Sequence, residues 1–125
     1  MRTTMVAVVV VALAGCQANT PPNTAARVSH WLETLHDPDA RQRKEAAFKL
    51  GNLGLTDPAT IVPALTNQLK DTDAIVRCEV ILALVKCGTN ARETMEELTK
   101  VQRNDRDPRV RDYASKALTK LHGGS

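Results

Sequence analysis

The chain has 125 residues, with 17 lysines and arginines against 14 aspartates and glutamates and a formal net charge of +3. That length suits one small domain, and the charge is too small to argue for nucleic acid as a partner. Trp31, Phe48 and Tyr113 are the whole aromatic set, which gives no stacking platform for bases or sugars.

In chain order the first element is a secretion signal, residues 1–15. Arg2 supplies the positive start, and Met5 to Ala14 is an unbroken apolar run. That run is too short to span a bilayer core, which takes ~20 residues. It closes with Leu13-Ala14-Gly15-Cys16, which resembles a bacterial lipobox. The resemblance implies that the Cys16 thiol receives a diacylglyceryl group and that cleavage leaves Cys16 as the mature N-terminus. Residues 16–26 follow as a lipidated end and flexible tether: Pro21-Pro22 and polar amides, with no large apolar side chain.

Everything in 27–121 follows a repeat. Asp37, Asp71 and Asp105 stand 34 residues apart, as do Asp39, Asp73 and Asp107, and then Arg43, Arg77 and Arg111. Apolar equivalents continue as Ala46/Val80/Ala114 and Leu50/Leu84/Leu118. The units run over about 27–54, 58–88 and 91–121, each reading as two helices. The first helices are marked by Val28, Trp31, Leu32 and Leu35; by Ile61, Val62, Leu65 and Leu69; and by Met95, Leu98 and Val101. The spacing predicts Thr60 as the cap of the second of these, with Pro63 harmless in its first turn. The second helix of each unit starts after Asp39, Asp73 or Asp107, whose carboxylates can accept orphan amide protons. Gly54, Gly88 and Gly123 are predicted to end these helices in left-handed conformation. His122 to Ser125 reads as a polar tail. Cys78 and Cys87 sit about 13 Å apart along one helix, beyond the ~7 Å reach of a disulfide.

With Ile61-Val62-Pro63-Ala64-Leu65, Leu69-Lys70-Asp71 and Val76-Arg77, the chain resembles the HEAT repeat family, in particular the short HEAT-like repeats of phycobilisome lyases. The resemblance implies an all-α, right-handed α-solenoid of three helical hairpins. It also implies a ladder of Asp–Arg hydrogen bonds along the stack, placed on Asp37/Arg43, Asp71/Arg77 and Asp105/Arg111. Gln42 and Lys49 depart from the family pattern, so unit one reads as a capping repeat.

No residue set points to catalysis. The paired aspartates recur at every second-helix start, as capping requires and a catalytic pair does not. His30, His36 and His122 lack the repeated His-Glu pairs of HEAT-type metal oxygenases, so no metal is expected. No phosphate loop or nucleophile elbow is present. No cofactor is expected.

The second helices carry the remaining signal. Opposite the core stripe the central one bears Cys78, Leu82 and Val85, where Lys44, Phe48 and Gly51 stand in unit one and Asp112, Lys116 and Thr119 in unit three. HEAT stacks line their concave face with second helices. Phe48, Cys78, Leu82 and Val85 then form an apolar spot rimmed by Lys44, Asp112 and Lys116. Such a spot is either a docking surface or extra packing around the middle unit. The expected function is a non-catalytic protein-interaction or scaffold module of the cell envelope. Lipid on Cys16 would hold it at a membrane on the non-cytoplasmic side, with an unknown protein partner. The alternative is an accessory factor of a lyase-like or other enzyme that uses the concave face for a prosthetic group.

Overall fold

The computed structural model describes residues 23–89 and 91–123. The signal 1–15, the lipidation site Cys16, the tether up to residue 22 and the last two residues lie outside the described residues. Among the described residues six α-helices form three hairpins: α1 (Thr24–Thr34) with α2 (Ala40–Leu53), α3 (Pro58–Asn67) with α4 (Ala74–Cys87), and α5 (Arg92–Asn104) with α6 (Pro108–Gly123). A single 3-10 turn, Gln68–Lys70, follows α3. Successive second helices α2, α4 and α6 pack side by side, and the first helices α1, α3 and α5 cover one side of that layer. Among the described residues there is no strand, and the fold is an all-helical solenoid.

The second-helix starts obey one local rule. The Asp39 carboxylate accepts from the Arg41 amide at 2.9 Å, and Asp73 accepts from Ile75 at 2.8 Å. Asp107 accepts from Arg109 at 2.8 Å. Each satisfies an amide that has no partner inside its helix. The 3.6-residue period then places Leu50, Val76, Val80, Leu84, Val110 and Ala114 in the core, with Ile61, Leu65 and Leu98 from the first helices. These buried side chains belong to one continuous cluster. Each fully buried Leu, Ile or Val in it contributes ~1.5–3 kcal/mol relative to exposure.

Three boundaries differ from the sequence expectation. Helix α1 begins at Thr24, inside the expected tether, because the Asn23 side chain caps it through the Ala25 amide at 2.9 Å. Helix α3 begins at Pro58 with Asp57 as its cap, not at Thr60. Asp followed by Pro is a helix start, since proline at the first position gives up no helical bond. Pro63 therefore lies within α3, on its exposed side, where water can reach the carbonyl it leaves unbonded. His122 and Gly123 belong to α6 rather than to a tail.

The glycines divide by role. Gly88 closes α4 at φ 63°, the left-handed conformation expected. Gly54 is right-handed at φ −58°, so the expected left-handed role fails there. A Cβ on Gly54 would overlap Cys87 Sγ, and one on Gly51 would lie 2.9 Å from Ala83 Cα. Both glycines are there to let α2 lie against α4.

Candidate functional site

One polar feature repeats along the stack, the arginine ladder. Arg43 donates from Nε and Nη2 to the two Asp71 carboxylate oxygens at 2.8 and 3.0 Å. Its Nη1 donates to the backbone carbonyl of Asp37 at 2.9 Å. Arg77 repeats the pattern one unit on, with Asp105 at 2.8 and 2.9 Å and the Asp71 carbonyl at 2.8 Å. Arg111 bonds the Asp105 carbonyl. The expected pairs Asp37/Arg43, Asp71/Arg77 and Asp105/Arg111 are all bonded, but through the Asp backbone carbonyl rather than the carboxylate. Within a unit the arginine meets only the backbone of its Asp, and its fork crosses to the carboxylate of the next unit. The reason is orientation. Each of these carboxylates is held by the amide two residues on, as Asp71 is by Asp73 at 2.9 Å and Asp105 by Asp107 at 2.9 Å.

The ladder is buried and stapled further. The Arg77 and Asp105 side chains are 5% and 8% exposed. Gln68 Nε2 donates to Asp71 at 2.6 Å and to the Leu35 carbonyl at 3.1 Å, tying the end of α1 to unit two. Burial alone would raise the Asp71 carboxyl. The hydrogen bonds from Arg43, the Asp73 amide and Gln68 outweigh it and hold the group below the ordinary aspartate value. These bonds tie each unit to the next.

The face of α2, α4 and α6 turned away from the first helices is different. Leu82 and Phe48 are each 42% exposed, and Ile75 on α4 and Tyr113 on α6 are exposed too. Between α4 and α6 runs a groove of about 300 Å³. Ile81, Leu82 and Val85 line it from α4, and Tyr113, Lys116, Ala117 and Lys120 from α6. The expected spot is therefore divided. Leu82, Val85 and Lys116 meet in the groove. Phe48 lies outside its lining, under Lys86 Nζ at 4.2 Å from the ring centroid. Lys44 is exposed on α2, Asp112 pairs with Lys116 at 2.8 Å, and Cys78 is half-buried against the core.

Sequence reasoning missed Ile81, Tyr113, Ala117 and Lys120 in this groove. The signal that finds them is the 34-residue register. Val85 and Ala117 stand where Gly51 and Ala83 touch. A valine cannot enter the contact that Gly51 makes with the Ala83 backbone. Helices α4 and α6 approach each other less extensively than α2 and α4 do, and the groove lies between them.

Cys78 and Cys87 are free thiols, and burial pushes both up from the ordinary cysteine value. Among the described residues no three His, Cys, Asp or Glu side chains are arranged to hold a metal ion. No helix among them is long and apolar enough to cross a membrane.

A stack of helical hairpins joined by an Asp–Arg ladder, with an exposed apolar groove on its second helices, defines a repeat protein. The family model for HEAT repeats matches residues 28–119, and the chain belongs to that family. No curated protein matches the chain.

Proposed function

We propose that this chain is a non-catalytic protein-interaction module of the cell envelope, held at a membrane by lipid on Cys16. The observation that carries the docking role is the groove between α4 and α6, with Leu82 exposed at its mouth. Large apolar side chains at a groove rimmed by polar ones are the anatomy of an interface centre. HEAT repeats commonly serve as interaction scaffolds, which supports the same reading. The prosthetic-group alternative asks for Cys78 or a histidine in the groove, and neither is in its lining.

The anchoring part rests on Leu13-Ala14-Gly15-Cys16. Two or three acyl chains, at ~0.8 kcal/mol per buried CH₂, make a durable anchor. Cys16→Ser is expected to abolish both mature lipoprotein and detergent-phase partitioning. A mature N-terminus found by mass spectrometry at any other residue overturns the anchor.

The docking part is tested by placing a photo-crosslinking residue at position 82 in the native host, with position 93 on α5 as the control. A discrete adduct from 82 and none from 93 is expected. Equal labelling from both positions refutes the docking role.

A further inference from the structure

The cations on the second-helix face are not equivalent. Those at the helix starts are occupied: Arg41 Nη2 lies 3.4 Å from Asp39 Oδ2, and Arg109 Nη2 lies 3.0 Å from Asp107 Oδ2. At the other end of the same helices, Lys86 and Lys120 meet no carboxylate among the described residues. Lys86 reaches only Asn52 Oδ1, at 3.3 Å, and the Phe48 ring. Lys116 does have Asp112, but that pair is 74% and 56% exposed. Exposed pairs are weak and exchange partners readily. The negative end of each helix dipole explains a cation in the last turn. It does not explain Lys116, a turn earlier, sharing the groove wall with Lys120.

The groove thus has an apolar floor and two lysines along one wall. Lys116 and Lys120 are one helical turn apart, a rise of ~6 Å. Carboxylates one turn apart on another helix match that spacing. The depth between α4 and α6 takes a protruding side chain, which a protein offers and a flat bilayer surface does not.

We infer that the groove's occupant is an amphipathic helix of a partner protein. A large apolar residue sits between Leu82, Val85 and Ala117, and Asp or Glu residues one turn apart face Lys116 and Lys120. The inference rests on the docking role proposed above and adds the chemistry of the partner.

The test is a displayed library of helical 16-residue peptides, selected on the full chain held in phosphatidylcholine nanodiscs. Selected binders are then compared on three variants of the chain. Expected are peptides with a Leu, Phe or Trp and flanking acidic residues. Their affinity should fall at least tenfold on Lys116→Glu with Lys120→Glu, and should weaken with salt. Both lysines are exposed, so the double variant keeps its fold by circular dichroism, and Lys44→Glu serves as the charge control. Binders with neutral or basic flanks, or binders indifferent to the double variant, overturn the acidic partner and leave the docking role standing. Binders that hold Leu82→Asp as tightly as the parent chain overturn the docking role itself. A dimer in sedimentation equilibrium that Leu82→Asp dissolves would assign the groove to a second copy and also overturn the proposal.

Discussion

At the scale of single residues the ladder decides most. Arg77 donates to an Asp of the next unit and to the backbone of its own. Removing one partner of a buried pair costs ~3–5 kcal/mol, because the other charge stays buried. Arg77→Ala is expected to lower Tm by more than ~10 °C in a domain of this size. Arg77→Lys should recover only part, since an ammonium cannot fork to both Asp105 oxygens. Thermal melts of the two variants check this.

The same chemistry fixes an acid limit. Asp71 is held below its ordinary value, and Asp107 is lowered to about 2, chiefly by its side-chain bond from Arg109. A carboxyl depressed in the folded state contributes stability above its unfolded value of ~3.9. That contribution is lost as pH falls through the folded value. Tm should therefore drop as pH falls from ~4 towards ~2. Asp71→Asn should be the less stable chain at neutral pH, with a gap to the parent that closes on acidification. A gap independent of pH would contradict the linkage.

At the scale of elements, Gly51 and Gly54 let α2 approach α4. Alanine in place of glycine ordinarily gains about 1 kcal/mol inside a helix. Gly51→Ala is expected to do the reverse and lower the urea midpoint, because its new methyl meets the Ala83 backbone at 2.9 Å. Gly54→Ala should be worse, and Cys87→Ala should relieve part of that loss by removing the sulfur.

The helices show where the sequence was legible. Asp39, Asp73 and Asp107 marked the second-helix starts correctly, because a cap is a local bond between neighbours in the chain. The start of α3 stood in the sequence as Asp57-Pro58, but Thr60, three residues on, offers a competing cap. The role of Gly54 was invisible for a different reason: its constraint is Cys87 on another helix. Arg43 and Asp71 are the same case, partners separated by 28 residues, so the chain announced the ladder and its within-unit bonds but not the carboxylate each arginine grips in the next unit. Leu82 and Val85 were legible as apolar residues on the wrong face. Tyr113 and Lys120 joined them only once two helices had been set side by side.

At the scale of the molecule, one core runs through all three units. Each unit buries its face against a neighbour, and three are about the minimum for a stable stack. Ending the chain after residue 89 would uncover Ile81 and Thr66 and remove Asp105 from Arg77. Urea unfolding of the full chain is expected to be a single transition followed by circular dichroism, and the shortened chain should show no cooperative transition. Leu82→Asp belongs to the opposite class. On an exposed surface it should change stability by no more than ~0.5 kcal/mol, whereas Ile81→Asp, one residue away and buried, should unfold the domain.

The difference between Gly51 and Val85 has a wider meaning. Two neighbouring seams of one repeating framework are shut or ajar according to the bulk of one side chain. The ladder that ties the units together is made elsewhere, by Arg43 and Arg77 with the carboxylates of the next units. A single codon can therefore act as a gauge for the aperture, letting duplicated units of this kind drift toward new partners while the frame that holds them stays fixed.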